Sequence, residues 1–252
     1  MQIIDSHCHI HDSQFYIEDR EAVYARAINA NVKMILIGTS ERDSREAVEF
    51  AAEHTDTWAV IGVHPHGANS GWKGIAQILQ ESHDKVIGIG EIGLDYFYDN
   101  SPRSIQLATL EAQLQLARDY DLPVSFHVRE AFGDFWPILA NFPELKGVLH
   151  SFTDTKASLE VALSRGLYIG VNGISTFAND KQDMWDMVPL ESMLLETDAP
   201  FLTPAPLRGK VNEPAFLRYV ASYHADRRGM ELEYLARVTS TNASTLFSLC
   251  SE

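Results

Sequence analysis

Cysteine is scarce in this chain: there are two, Cys8 and Cys250, one near each end. That is too few for a disulfide framework, so redox chemistry and the disulfide-stapled secreted class are set aside and two free thiols are expected. Long apolar runs are missing too, with no stretch of about 18 uncharged apolar residues to form a membrane-spanning helix. The opening MQIIDSHCHI carries neither a basic leader nor an extended apolar core, which predicts a cytoplasmic protein. Positive charge is the third shortage. Lys and Arg number 20 against 35 Asp and Glu, a formal net charge of −15. Such a surface repels polyanions, which argues against gripping a nucleic-acid duplex through a broad basic face; any phosphate must be caught locally. Low-complexity linkers, charge blocks and sequence repeats are absent as well.

What is present has a rhythm. Eight short apolar runs recur: QIID, VKMILIG, WAVIGVH, VIGIGE, LPVSFHV, GVLHSF, LYIGVNG and SMLLETD. Most are separated by stretches with helical spacing, such as EDREAVYARAINA, SREAVEFAAEH and RSIQLATLEAQLQLARDY. Strand alternating with helix implies a parallel sheet, and eight such units imply an α/β fold of the closed (β/α)8 TIM-barrel type, with a doubly wound open sheet as the alternative. At about 150 residues per domain the chain could be two, but its 252 residues fit one barrel, so a single domain over 1–252 is expected. Two further helical stretches, NEPAFLRYVASYHADR and ELEYLARVTSTNASTLFSL, follow, and the last is expected to close the bottom or side of the barrel.

In such a barrel the chemistry sits where strands end, because the loops there build the active face. Six of the endings carry His, Asp or Glu: DSHCH, GVHPH, GIGE, VSFH, GVLH and LLETD. Residues two apart in a strand share a face, so His7 and His9 point together into the mouth with Asp5 below them, while Cys8 faces the helices. The spacing of Glu91, His127, His150 and Asp198 in multiples of one strand-helix unit places them on strands four, five, six and eight. Four imidazoles and two carboxylates exceed what one four- or five-coordinate ion needs, so a pair of divalent ions, Zn, Mn or Mg, is the economical reading.

The motifs DSHCHIH, GVHPH, GEIGLDYF, FHVRE, HSFT, ETDAPFLTP and RGKVNEP resemble those of the TatD family of metal-dependent hydrolases, within the amidohydrolase superfamily of barrels. The resemblance runs from Ile3 to about Leu246. It implies a dinuclear metal site and, in several members, exonuclease activity on DNA, with RNA also attacked by some. The family's ligands fall on His7, His9, Glu91, His127, His150 and Asp198. The chain departs from the family's usual residues at His11, just after Ser151 and at Val211, all in loops.

On residue types, Glu91 can bridge two ions, with His7, His9 and Asp198 on one and His127 and His150 on the other; Asp198 is placed to orient the attacking water and carry its proton. His64, Arg208 and Lys210 are expected to bind substrate phosphate. Arg129 is expected to pair with a carboxylate, Asp95 to hydrogen-bond a ligand histidine, and FGDFWPIL to serve in the core or rim. His54, His83 and His224 are expected to be exposed and without chemistry. The expected substrate is a nucleic-acid end or a small phosphodiester, with no membrane and no obligate protein partner. The other reading is hydrolysis of an amide or ester such as a D-aminoacyl-tRNA ester.

Overall fold

Each apolar run becomes a strand because parallel strands covered on both faces must be apolar throughout. In a computed structural model, which describes residues 1–16, 19–82, 84–98 and 100–249, the strands are β1 (Ile3–Cys8), β2 (Val32–Ile37), β3 (Thr57–Ile61), β4 (Val86–Asp95), β5 (Val124–Arg129), β6 (Gly147–Leu149), β7 (Tyr168–Val171) and β8 (Met193–Leu195). All neighbours pair parallel, in the order of the chain. The first and last strands are stitched directly: Ser6 Oγ donates to the Leu195 carbonyl at 3.1 Å, Asp198 N to the His7 carbonyl at 2.9 Å and His9 N to the Ala199 carbonyl at 2.8 Å. The sheet therefore curls into a barrel and the open doubly wound alternative falls away.

Helices α1 (Arg20–Asn29), α2 (Glu41–Glu53), α3 (Lys73–Glu81), α4 (Arg103–Asp119), α5 (Phe132–Leu139), α6 (Lys156–Ser164), α7 (Gln182–Asp186), α8 (Leu217–Arg228) and α9 (Leu232–Leu246) lie between and after the strands. Their ends follow local chemistry. Ser40 and Thr155 cap α2 and α6 by accepting from Asp43 N and Ser158 N, and α8 stops at Gly229, whose φ of 63° is left-handed. Among the described residues no helix is long and apolar enough to cross a membrane.

Two apolar layers result. The larger lies between the strands and the helices and takes in Cys8, a buried free thiol, together with Phe132, Phe135, Ile138 and Leu139 of the FGDFWPIL segment. The smaller fills the barrel's lower interior: Ile4, Ile35, Ile37, Val60, Val148 and Leu194 meet Ala243 and Leu246 of α9 and the following Phe247. Helix α9 thus closes the bottom, with Ser240 Oγ accepting from Ile4 N at 3.2 Å.

The pleat is not regular. Pairing slips between Asp5 and Cys8 in β1 and between Ile89 and Ile92 in β4. Strict alternation from Ile4, which faces the interior, would turn His7 outward; the slip resets the phase and brings it in. A slip of this kind re-aims side chains at barrel rims, and the two here bracket His7 and Glu91.

Two histidines differ from expectation. His224 on α8 is wholly buried, its Nε2 2.8 Å from Ser175 Oγ, and burial, followed by the charge of Arg228, pulls it down to about 3. His54 stacks on Phe50 at 3.8 Å and is held by the Phe50 carbonyl and Glu21. His224 sits in a helix so polar that its packed face does not stand out, and His54 caps the end of α2, just past its apolar face. His83 and Cys250 lie outside the described residues.

Phe247, only 2% exposed, plugs the lower interior. Phe247→Ala should lower unfolding free energy by about 3–5 kcal/mol, the usual range for emptying a packed aromatic site; chemical denaturation measures it, and a loss below about 1 kcal/mol would mean α9 does not seal the barrel.

Candidate metal centre

All eight strands point their C-terminal ends at one mouth, and there a cavity of about 770 Å³ is lined by His9, Glu91, His127, His150 and Asp198, joined by Asp43, His64, His66 and Arg129. His7 lies beneath it, fully buried. The six residues expected as ligands are thus brought around one point by five different strands.

Their atoms form two groups. His7 Nε2 and His9 Nε2 stand 3.3 Å apart, and Asp198 Oδ1 lies 3.6 and 3.3 Å from them. Glu91 turns Oε2 toward this group, 3.5 Å from His7 Nε2, and Oε1 the other way, 2.7 Å from His127 Nδ1 and 3.7 Å from His150 Nε2. The two carboxylate oxygens thus face different imidazoles, Oε2 toward His7 and Oε1 toward His127 and His150, while the His150 ring also stacks on His7 at 3.5 Å. Nitrogen lone pairs converging in this manner repel one another unless a cation or a proton lies between them.

The outer hydrogen bonds decide which nitrogens are free. His9 Nδ1 donates to the Ile37 carbonyl at 2.8 Å, which leaves the Nε2 lone pair for the mouth. His127 Nε2 donates to Asp95 Oδ2 at 3.1 Å, which leaves Nδ1 facing Glu91. Both rings are locked in the tautomer a metal needs. His64 is locked the opposite way. Its Nδ1 accepts from His66 N at 3.1 Å, and burial foremost keeps the ring neutral, so the proton sits on Nε2, 3.7 Å from Glu91 Oε1. Although His64, Glu91 and His127 lie close enough to surround an ion, His64 presents a donor to the mouth and no lone pair.

Burial pushes Glu91 and Asp198 up, but the ring of imidazoles outweighs it and holds both carboxyls below their ordinary range. The reverse happens at the rings. Burial pulls His9 and His150 down, yet Asp198 lifts His9 to about 9, and Glu196, with Glu91 and Asp198, lifts His150 to about 10. Buried carboxylates and imidazoles thus face one another across the site, and this mixed donor set fits divalent metals.

Several residues around the ligands hold them in place. Asp95 takes hydrogen bonds from His127 and His66 on Oδ2 and from the backbone of Phe97 and Tyr98 on Oδ1. Glu196, not anticipated, is wholly buried: Oε1 accepts from Ser151 N at 2.7 Å and from Asn172 Nδ2 at 3.1 Å, and lies 3.0 Å from His150 Nδ1, off the line of a good hydrogen bond. It stands two residues before Asp198, the spacing at which strand residues share a face, and that was the signal available. Glycines make room for these approaches. A Cβ on Gly170 would overlap the Glu196 carboxylate, and one on Gly93, at φ 153°, would overlap the His127 carbonyl.

The cations differ from expectation. Arg208 and Lys210 are exposed and are not among the residues lining the mouth; the Arg208 guanidinium rests 3.9 Å from the Phe177 ring and donates to the Thr203 carbonyl. Arg129 lines the mouth, resting 3.7 Å from the Phe97 ring, so its partner is an aromatic face where a carboxylate was expected.

Residues 4–248 match the protein family described as TatD related DNase. The chain is 39% identical to the 3'-5' ssDNA/RNA exonuclease TatD of a Rahnella species, over 94% of this chain and 95% of that one. It is 35% identical to the uncharacterized metal-dependent hydrolase YabD of Bacillus subtilis, over 98% and 99%. Among solved structures, the TatD homologue YJJV of Escherichia coli superposes with a TM-score of 0.91 at 31% identity, covering 98% of both chains.

Glu196→Gln removes the charge behind His150 while keeping the shape. Metal affinity, read by competition with a chelator, should fall about 10- to 100-fold, the usual cost of losing such an outer partner, with the fold intact by circular dichroism; unchanged affinity would show that Glu196 only fills space.

Proposed function

Since the chain belongs to the TatD related DNase family, we propose that it is a metal-dependent phosphodiesterase that trims unpaired ends of DNA or RNA with two divalent ions. The observation that carries the dinuclear reading is Glu91, whose two oxygens face different imidazoles. His7, His9 and Asp198 would hold one ion, His127 and His150 the other, and Glu91 would span them; four imidazoles with two carboxylates suit Zn2+, with Mn2+ and Mg2+ as the alternatives. When bound, the ions supply Lewis acidity for hydrolysis at neutral pH.

The protein's own groups do the rest. Asp198 is the more open of the two carboxylates, 14% against 5% for the Glu91 side chain. Its left-handed backbone, φ 56°, turns it off the end of β8 toward the mouth. Held ionised among the imidazoles, it is the group to accept a proton from the attacking water. His64 offers Nε2–H to a phosphate oxygen, and Arg129 adds a fixed positive charge at the rim. Arg208 and Lys210, farther out, would meet only phosphates along the chain from the cut. With a net charge of −15 elsewhere, these few cations favour an end that enters the mouth over a duplex laid across it.

The test is a metal-loaded assay on short 3′-labelled single strands beside closed circular duplex. Single strands should be shortened from an end and the circle left intact. Asp198→Asn should lower kcat by about 100-fold or more while losing much less metal. Efficient cutting of the circle would overturn the end-trimming reading, and a rate falling only in proportion to metal content would overturn the proton role.

A further inference from the structure

The rim of the mouth exposes flat apolar rings that soluble proteins ordinarily cover. Among the described residues five aromatic side chains are exposed, Phe15, Phe97, Tyr98, Phe201 and Tyr234; Phe15, Tyr98 and Phe201 line this mouth, and Phe97 packs against Tyr98 and the mouth residue Arg129. They form two pairs. Phe15, in the loop after β1, meets Phe201, just past β8, edge to face at 5.1 Å. Phe97 and Tyr98, after β4, meet at 4.7 Å and 84°. In an eight-stranded barrel ordered as the chain is, the β1–β8 seam and the end of β4 lie on opposite sides of the opening. Phe15, Tyr98 and Phe201 line the same cavity as Glu91 and Asp198. Packing against the core does not explain rings left about half exposed, 52% for Phe15 and 50% for Phe97.

We propose that the two pairs are nucleobase platforms: one base stacks on a ring face of the Phe15–Phe201 pair with the second ring at its edge, its neighbour does the same at Phe97 and Tyr98, and the phosphate between them lies over the metal ligands. This rests on the nuclease reading above and adds to it what holds the substrate. Arg129 completes the arrangement. Its guanidinium carbon lies over the Phe97 ring at 3.7 Å and 5.0 Å from the Tyr98 ring, and a guanidinium resting on an aromatic face keeps its edge N–H groups for phosphate oxygens. Stacking is indifferent to base identity, because every base has a π face, but it needs that face free. Paired bases inside a duplex do not offer it. Preference for unpaired ends then comes from the aromatic rim as well as from the shortage of positive charge.

The experiment compares a natural single-stranded oligonucleotide with one whose two terminal residues are abasic tetrahydrofuran analogues, so that phosphates are kept and bases removed. The native enzyme should favour the natural end by about tenfold or more in kcat/KM, mainly through KM, as expected when stacking contributes to binding. In Phe15→Ala/Phe201→Ala that ratio should fall by about threefold or more, to the share left to Phe97 and Tyr98, and Phe15→Trp/Phe201→Ala should restore it. A ratio that stays at the native value in the double variant overturns the platforms while leaving the nuclease reading in place. Failure of the native enzyme to cut any oligonucleotide with metal bound overturns both.

Discussion

Four carboxyl groups buried at the top of the barrel are the constraint on which the rest of the structure depends. Asp5, Glu91, Glu196 and Asp198 all lie in or just under the mouth, with little or no solvent on their side chains. A carboxylate taken out of water is costly unless something positive or hydrogen-bonding faces it. The contrast between two of them shows the rule at work. Glu91, ringed by imidazoles, stays ionised; Asp5, whose bonds come only from Thr197 and the His7 amide, is pushed by burial up to about 8 and keeps its proton near neutral pH. The imidazoles therefore serve the fold as well as the chemistry. The outer acceptors, Asp95 for His127 and the Ile37 carbonyl for His9, exist to aim them.

The barrel serves this constraint by delivering groups from distant parts of the chain to one spot without letting any strand run long. Where the regular pleat would miss, it is broken: the slips in β1 and β4 fall beside His7 and Glu91. Where side chains would collide, they are deleted, as at Gly93 and Gly170. The apolar floor sealed by Phe247 and its neighbours sits directly below, so the charged layer has a rigid base.

Much of this could be read from the residues alone, and the limits have a physical cause. The eight strands were legible because burial on both faces leaves no room for polar residues, and the histidines and acids that end those runs stand out for the same reason. Glu196 was not, because its partners, His150, Ser151 and Asn172, come from the ends of other strands, and its one signal, the two-residue spacing from Asp198, does not tell a metal ligand from a residue that holds one. His224 escaped likewise, its partner Ser175 belonging to the turn after β7. Arg208 looked like the phosphate cation because of its place after β8, but the loop carries it onto Phe177; Arg129, two residues beyond His127, shared the ligand's face all along. Burial of a polar group is a property of pairs, and a single sequence shows only one member at a time.

The seam between β1 and β8 has a bearing on how the protein is made. His7 and His9 are synthesised well before Asp198, yet the three must meet across that seam. A nascent chain that has not passed β8 lacks both the carboxylate and the strand that would close the barrel. The candidate metal site is therefore incomplete until β8 and the residues just after it have been made, so the oldest and the youngest of these ligands are joined last.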